Sequence, residues 1–485
     1  MNRSSNRRVL PGAAVALASL CASPLAHAQY VEPAAPAASA PARGARDARD
    51  GEHEKSVAIP ALEIVGFDLV LSNLDRAFSR SSDYDVSFHS IEHNLRGPWV
   101  TDNDPFQINQ FGHPYQGSIY HGIGRSMGLN YWEASALTFA GSAWWEITGE
   151  KTPPSKNDQV ASGIAGSILG EPLFRMSHLV ADRSTVPGEW RHWLAAAISP
   201  PVGANRWAFG SDRYGGTFDD HDPDYYSRLH IGANRAVKED IGPTDHATRN
   251  AAQVDFAMDY GLPGKPGYTY DRPFDYFNFQ AVLSSSNGVE NLSSNGMLVG
   301  DHFGIGDSYR GIAGIYATYE YLSPQIFHVS TTSVSLGTTG QWWLAQDWAV
   351  QGSVLAGVGY AAASTTIRDV DSTEYHYGMA PRGAMTLRVI DGDRAALDVG
   401  GRIVSLGRIA NRSLGRDDIS RVESAFTWRL VGRHAIGVNY VWSHRSAEFA
   451  AGVDRRQTLG QVGVFYTLLG QQDFGAVEWR HPDGD

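Results

Sequence analysis

The spacing of hydrophobic residues along the 485-residue chain changes near residue 200. From about 113 to 198, apolar residues recur every three or four positions, which is typical of helices with one apolar face. From about 225 to 470, apolar and polar residues alternate in short segments between turns, which is typical of strands with one apolar and one polar face. The pattern therefore predicts a helical region followed by a mainly β region.

Alternation in the second region is clearest in "HAIGVNYVWSH", where Ile436, Val438, Tyr440 and Trp442 share one face. About twelve such segments occur, with lengths near the 9–11 residues that a tilted membrane strand needs. They lie near residues 226–234, 250–260, 273–284, 295–304, 309–322, 326–339, 346–361, 374–389, 394–406, 420–432, 434–446 and 458–469. Because bacterial outer-membrane barrels have an even number of strands, we expect an antiparallel transmembrane β-barrel of about twelve strands.

A water-soluble β-domain also alternates, but two further features favour the barrel. Aromatic residues stand near strand ends, where membrane barrels carry interfacial girdles: Tyr260, Tyr321, Trp342, Trp343, Tyr360 and Trp442. The polar faces carry both signs of charge, as in a charge-paired lumen: Asp255, Asp275, Glu320, Arg388, Asp398, Arg402, Glu423 and Arg429. The C-terminal end disagrees with the barrel prediction. Fifteen residues follow the last predicted strand, "TLGQVGVFYTLLG", so this strand does not end the chain on an aromatic residue.

The N-terminal residues 1–28 have the layout of a secretory signal peptide, with three arginines, an apolar stretch and small residues before the expected cleavage after about Ala28. Cys21, the only cysteine, lies inside this segment, so we expect a mature chain without thiol or disulfide. The Ala- and Pro-rich residues 29–56 are expected to form a disordered spacer. The remaining predicted divisions are an irregular segment at 57–112, a helical domain at 113–200, the barrel at 225–470 and a C-terminal tail at 471–485. In the irregular segment, "PALEIVGFDLVLSNL" and "DVSFHSIEHNL" are expected to be either strands or an amphipathic helix.

The formal net charge is −12, and cleavage after Ala28 would change it to about −15. Such an acidic chain lacks the basic surface that nucleic-acid binding requires, which excludes a nucleic-acid partner. We expect instead a protein of a Gram-negative outer membrane that contacts outer-membrane lipid and is inserted by the barrel-assembly machinery. The oligomeric state stays open.

The helical region holds the densest polar motifs. In "FGHPYQGSIYHGIGRSMG", Ser118, His121 and Arg125 share one side of a predicted helix. In the next predicted helix, residues 130–148, a narrow polar stripe ends at Glu146. Both helices place ionisable side chains on surfaces that otherwise consist of small or apolar side chains.

A third predicted helix opens with Ser155 and Asp158 as a capping pair. Three glycines then fall on one side: Gly163, Gly166 and Gly170. Such a surface permits close contact with a neighbouring helix. Glu171 precedes Arg175 by one turn, the favourable order for an ion pair, and Pro172 is expected to bend or break the helix. We expect three to four short helices before the barrel.

The motifs "NQFGHPYQGSIYHGIGRSMG", "GSAWWEITGE", "PPSKNDQVASGIAGSILGEPLFRMS" and "SPPVGANRWAFG" together resemble a bacterial family called domain of unknown function 3943. The resemblance covers about residues 100–210. The matching positions are Asn109, His113, Pro114, Gly117, Tyr120, Arg125, Ser142, Trp145, Glu146, Glu150, Ser155, Asn157, Asp158, Gly170, Glu171 and Arg175. The resemblance implies a cell-envelope protein without an assigned reaction.

Two catalytic hypotheses arise from these residues. His113, just before a helix, and Glu146, on a polar stripe, are the preferred acid/base candidates. A lipid hydrolase would instead use Ser118 as nucleophile and His121 as base, with Asn109 or Glu146 to orient the histidine. The chain contains no GxSxG motif, which weakens the hydrolase hypothesis.

Metal binding is a further alternative. Residues of suitable ligand type are His113, His121, Glu146, Glu150 and Glu171. Their spacing matches no established motif such as HExxH, so neither a metal site nor a cofactor is predicted. The loop "FDDHDPDYY" has calcium-type ligands, but we favour a solvated loop over a calcium site; its acidic residues are Asp219, Asp220, Asp222 and Asp224.

The favoured interpretation is structural. Helix caps and ion pairs would hold together helices whose contact faces consist of small residues. The expected polar network comprises Asn109, Arg125, Asp158, Glu171 and Arg175. We therefore rank a structural or envelope-associated role first, an enzyme acting on lipid second and a channel third. A channel would change conductance when lumen charges such as Arg402 or Glu423 are neutralised. Two positions stay open for the helices: inside the lumen as a plug, or at its periplasmic mouth.

Overall fold

The structure, a computed structural model, describes residues 55–78, 82–101, 104–183, 188–210, 223–241, 247–324, 326–365, 375–407, 415–449 and 454–477. The predicted signal peptide and nearly all of the predicted spacer lie outside the described residues. In the described chain, helices occupy the N-terminal part and strands the C-terminal part.

Seven helices precede the strands in the described residues: α1 (Ala58–Phe78), α2 (Phe88–Arg96), α3 (His113–Ser126), α4 (Tyr131–Thr148), α5 (Gly166–Arg183), α6 (Gly188–Ile198) and α7 (Pro200–Phe209). Two π-helical stretches, Ile108–Gly112 and Gln159–Ala165, lead into α3 and α5. Short turns of helix also occur at Ser82–Tyr84 and Lys156–Asp158. Within the described residues, no helix has the length and hydropathy needed to cross a bilayer.

The two stretches for which strands or a helix were expected are helical, since they lie mainly in α1 and α2. The buried residues of α1, Pro60, Ile64 and Asp68, recur every four positions, which is a helical period. Ser87 caps α2, since its side chain accepts a hydrogen bond from the backbone of Ser90. With α6 and α7, these two helices bring the number of described helices to seven, above the expected three to four.

Pro172 does not break its helix, because α5 continues across it. Proline has no N–H, so the carbonyl of Ile168, four residues earlier, loses its usual partner in the helix. Ser294 of the barrel donates a hydrogen bond to that carbonyl at 2.6 Å. The missing donor is therefore supplied from outside the helix.

The predicted twelve-stranded antiparallel barrel is confirmed. Its strands are β1 (Tyr225–Ile241), β2 (Ala247–Tyr260), β3 (Phe277–Ser284), β4 (Gly288–Ile305), β5 (Tyr309–Leu322), β6 (Phe327–Ala345), β7 (Trp348–Thr365), β8 (Tyr375–Asp391), β9 (Ala395–Leu406), β10 (Gly415–Val431), β11 (His434–Phe449) and β12 (Arg455–Leu469). Each strand pairs with its neighbours in sequence, and β12 pairs with β1 to close the sheet.

The two faces of the barrel differ in polarity, as alternation requires. Arg388 and Asp398 face each other across β8 and β9 and line the interior, where they form an ion pair of 2.7 Å. Outward-facing residues such as Val354, Val438 and Val464 are about half exposed. The barrel thus has a polar lumen and an apolar outer wall.

The helices lie against the outer wall, neither inside the lumen nor at its periplasmic mouth. On β5, Thr318 and Glu320 face the interior, so the alternating Tyr319 and Tyr321 face outward. The Tyr319 hydroxyl donates to the carbonyl of Gln110, and Tyr321 packs against Phe106, both in the helical part of the chain.

One hydrophobic core joins the helices to this wall. Its helical side includes Ile168, Leu169, Met176, Val180 and Ile198. Its barrel side includes Leu229, Phe256, Met258, Tyr260, Phe277, Phe279, Leu292, Ala317, Tyr319 and Tyr321. These residues belong to β1 through β5, so the helices cover one side of the barrel and leave the other side bare.

Candidate functional site

Three buried ionisable side chains meet inside the helical domain. His113 begins α3, Glu146 lies near the end of α4, and Asp158 ends the short turn before the π-helical stretch of α5. Each offers a ligand atom, and these atoms all lie within 4.8 Å of one another. We call these three residues the His–Glu–Asp cluster; each has at most 5% of its surface exposed.

Local hydrogen bonds hold each member of the cluster in place. The backbone N–H of Ser155 donates to Glu146 Oε2 at 2.9 Å. The Asn157 side chain donates to Asp158 Oδ1 at 3.2 Å. Ser162 Oγ lies 3.2 Å from His113 Nδ1. On its other side, His113 Nε2 lies 3.7 Å from Asp158 Oδ2.

Glycine permits the close helix contact that brings His113 to this place. A Cβ added at Gly117 of α3 would lie 1.9 Å from the carbonyl oxygen of Ser162, and one added at Gly166 would lie 2.5 Å from Gly117 Cα. Any larger residue at either position would push the two helices apart. Gly117 and Gly166 therefore permit the close helix packing that brings the polar residues together.

A second buried polar centre lies two to three turns after His113 on α3 and includes Glu171 of α5. Glu171 accepts hydrogen bonds from Arg125 Nε at 2.7 Å and from Arg175 Nε at 2.9 Å. His121 Nε2 also lies 3.0 Å from the Glu171 carboxylate. Burial alone would raise the pKa of Glu171, but Arg125, His121 and Arg175 outweigh it and hold the pKa far below its usual range. We call these four residues the Glu171 network.

The Glu171 network continues into the barrel. Arg175 donates to Asp275 Oδ1 at 3.1 Å and to the carbonyl of Pro273 at 2.8 Å, both in the segment between β2 and β3. Between them, Phe274 has a φ of 64°, a left-handed conformation that costs a non-glycine residue energy. Its ring is fully buried and packs 5.4 Å from Tyr131 of α4. The helices and the barrel therefore hold this strained turn between them.

Several residues proposed from the sequence do not form the expected sites. Ser118 Oγ donates to the carbonyl of Tyr115 and His121 binds Glu171, so no Ser118–His121 dyad forms. Glu150 accepts from Trp145 Nε1 outside the His–Glu–Asp cluster. Asn109 is fully buried in the π-helical stretch before α3.

The proposed calcium loop lies mostly outside the described residues. Asp219, Asp220 and Asp222 are not among them. Asp224 is described and pairs with Lys265 at 3.2 Å.

The sequence did not indicate the contacts of two residues in these sites, Asp158 and Asp275. Asp158 was assigned to the ion-pair network, whereas the structure places it beside His113; its capping role was visible, but its partner was not. Asp275 was assigned to the lumen, whereas it binds Arg175 a hundred residues earlier in the chain. Nothing in the local pattern of either residue indicates these contacts.

The lumen contains a partly open cavity of about 200 Å³ whose lining includes charged residues. Arg402 donates to both Glu320 and Glu423, and Arg388 donates to Asp398 and Asp259. The charges that the alternation predicted are thus paired with one another across the interior.

Described residues lie at both ends of this cavity. At the end that holds the chain termini of the barrel, Gln351 and Trp343 bind the carbonyls of Gly475 and Val477, so the tail after β12 enters the lumen. At the other end, inward-facing apolar residues form a layer: Ala236, Leu322, Phe327, Val329, Ala361, Ala363, Ala380, Val404, Leu406, Ile419 and Leu459. The charged cavity lies between these two layers.

Solved structures resemble the barrel only remotely. An outer membrane channel from Pseudomonas putida F1 is 10% identical, with a TM-score of 0.26, over 52% of this chain and 98% of that chain. The translocator domain of the autotransporter NalP from Neisseria meningitidis is 11% identical, with a TM-score of 0.25, over 54% and 95%. The Pseudomonas putida toluene transporter TodX is 9% identical, with a TM-score of 0.21, over 50% and 89%.

No curated protein matches the chain. The family model described as "Domain of unknown function (DUF3943)" matches residues 98–201. This stretch contains α3, α4, α5 and α6, and with them the His–Glu–Asp cluster and the Glu171 network. The resemblance found in the sequence motifs is therefore confirmed: a region that matches this family precedes a closed twelve-stranded barrel.

Proposed function

We propose that the protein is a structural, envelope-associated component of the outer membrane, in which the barrel holds the helical domain against its lipid-facing side. The observation that carries the proposal is the shared core between the helices and the outer wall of β1 to β5. A domain bound there lies beside the barrel in the plane of the membrane.

The bare wall supports a membrane location. Its outward-facing side chains are large, apolar and substantially exposed, as in Leu336, Val354, Ile403 and Val464. A soluble protein rarely exposes so continuous an apolar surface, whereas a membrane barrel requires one. Aromatic residues gather on this wall towards the end that holds the chain termini: Trp342, Trp348, Trp428 and Tyr466.

The helical domain continues this apolar surface. Outward-facing residues that are about half exposed or more include Trp132, Phe139, Trp144, Ile164, Trp190, Trp193 and Trp207. Inside the domain, by contrast, Glu171 is neutralised by buried arginines, as a group remote from water must be. Lipid is therefore the partner that suits the outer face of the helices, and insertion by the barrel-assembly machinery follows from the barrel fold.

The other functions have less support. The lipid-hydrolase alternative is not supported, because Ser118 and His121 are committed to different partners. A channel is ranked lower, because an apolar layer lies at one end of the lumen and the tail after β12 enters the other.

Membrane fractionation tests the location. We expect the protein in the outer-membrane fraction, with a band on a detergent gel that changes mobility on boiling, as folded barrels do. A soluble, unshifted protein would contradict the proposal. Depletion of the barrel-assembly machinery should remove the shifted band.

Single cysteines test the position of the helices, since the mature chain is expected to have none. Phe139→Cys on α4 should resist a water-soluble maleimide and react with a lipid-resident one, as should Val354→Cys on the bare wall. Asp393→Cys, in an exposed turn, serves as the water-accessible control. If Phe139→Cys labels like Asp393→Cys, the helices do not face lipid. Planar-bilayer recordings should show no steady conductance, and an open pore would favour a channel.

A further inference from the structure

We propose that the His–Glu–Asp cluster binds one divalent transition-metal ion, of which Zn²⁺ is the best fit. The ion would be held by His113 Nε2 and by carboxylate oxygens of Glu146 and Asp158. An imidazole with two carboxylates is a ligand set that zinc accepts in proteins. This inference goes beyond the proposed structural role and does not depend on the membrane location.

The distances suit a small ion. Ligands about 2.1 Å from a tetrahedral ion are about 3.4 Å from one another. His113 Nε2 and Asp158 Oδ2 are already 3.7 Å apart, and all three ligand atoms lie within 4.8 Å. Displacements of about an ångström would bring these three atoms to such distances, and a water molecule would be the fourth ligand.

The surrounding hydrogen bonds orient the ligand atoms. Metal-bound histidines usually use one ring nitrogen for the ion and bond the other to a neighbouring group. Here Ser162 Oγ lies beside His113 Nδ1, and Nε2 faces Asp158. Asn157 likewise holds Asp158 Oδ1, which directs Oδ2 towards the histidine.

Charge also favours a cation. In the forms that bind metal, two carboxylates and an imidazole carry a charge of −2, which one divalent ion would cancel. The Glu171 network nearby shows the other way to balance a buried carboxylate, with arginines. The His–Glu–Asp cluster uses residues that are themselves metal ligands.

The location indicates a structural site. The three ligands come from the start of α3, the end of α4 and the turn before α5, so one ion would tie three elements of the domain together. An ion that joins folded elements contributes its binding free energy directly to folding.

Metal content of the purified, refolded full chain in detergent tests the proposal. After incubation with Zn²⁺ and dialysis, we expect one ion per chain. Co²⁺ in place of Zn²⁺ should give the intense visible absorption of a tetrahedral site. A chelator should lower the temperature at which protease protection of the helical domain is lost. A zinc-free wild-type protein whose stability the chelator leaves unchanged would overturn the proposal.

Isosteric variants locate the ion. Glu146→Gln and Asp158→Asn should each weaken Zn²⁺ binding by more than about tenfold. Glu150→Gln, one turn after Glu146 but outside the cluster, is the matched control and should bind like the wild type. Equal binding by all variants would place the ion elsewhere and overturn the proposal. If the cluster variants fail to fold, X-ray absorption of the wild-type zinc complex decides, since the proposal requires nitrogen and oxygen ligands including one imidazole.

Discussion

Two buried carboxylates that contact α3 have different partners: one is surrounded by cations and the other by neutral groups. Glu171 on α5 receives Arg125 and Arg175, and its pKa is far below the usual range despite burial. Asp68 on α1 accepts a hydrogen bond of 2.5 Å from the neutral Tyr120 hydroxyl. This bond lowers the pKa of Asp68, but burial outweighs it and raises the pKa to about 7. The same kind of group is thus a fixed anion at one interface and a protonatable acid at the other.

The difference matters for what each interface can do. The Glu171 interface joins α3 to α5 and, through Arg175, to the barrel, so it needs a charge that does not change. The Asp68 interface attaches α1, whose opposite face is exposed and apolar at Leu62 and Leu69. We therefore expect permanent attachment at the first interface and pH-dependent attachment at the second.

The largest effect is expected from Glu171→Gln. The variant leaves Arg125 and Arg175 buried against a neutral amide, and breaking a buried ion pair in this way costs about 3–5 kcal/mol. Urea titration with protease protection of the helical domain as readout measures the loss. Glu150→Gln, a partly buried neighbour in the same domain, should change stability by less than about 0.5 kcal/mol. Equal effects of the two variants would show that the network does not stabilise the domain.

Arg175→Gln separates attachment to the barrel from stability within the helices. Glu171 keeps Arg125, but Asp275 loses its guanidinium, so we expect a loss of about 2–4 kcal/mol that appears as release of the helices. Proteolysis should remove the helical domain while the barrel still shifts on boiling. Arg206→Gln, which breaks a partly exposed pair with Asp182, is the control and should cost about 1 kcal/mol or less. Loss of the barrel itself in Arg175→Gln would contradict this division.

The Asp68 interface should weaken as the pH rises. The folded state binds the Asp68 proton more tightly than the unfolded chain, because the pKa is about 7 rather than 3.8. Attachment of α1 is therefore strongest below about pH 4 and weakens up to about pH 7, with about 2–3 kcal/mol lost between pH 5 and pH 8. Hydrogen exchange in α1, corrected for the intrinsic effect of pH, measures this. Asp68→Asn should remove most of the dependence, and an unchanged dependence would assign it to another group.

The smallest effect is expected where the barrel replaces a helical hydrogen bond. Ser294→Ala leaves the Ile168 carbonyl without the donor that compensates for Pro172, at a cost of about 1–2 kcal/mol. Pro172→Ala restores an N–H in the helix, so Ser294→Ala should cost less in that background. Urea titration of the four proteins gives the coupling energy. Additive effects of the two substitutions would mean that the Ser294 hydrogen bond does not compensate for the missing N–H of Pro172.

Sequence patterns predicted the barrel well, because strand alternation follows from one apolar and one polar face. They also pointed to His113 and Glu146, which the structure brings together with Asp158. They missed the place of the helices, since Tyr319 and Tyr321 look like ordinary lipid-facing aromatics until α5 covers their strand. The persistence of α5 across Pro172 was equally hidden, because the compensating Ser294 lies 126 residues away in sequence.

The position of the helices also sets an order for folding. They stand first in the chain, yet much of their buried face is the wall of strands that follow them. Until β1 to β5 are paired, residues such as Ile168 and Met176 lack the strand side of the core that buries them. We therefore expect the helical region to cross the inner membrane first and to finish folding last, with the completed barrel as its template.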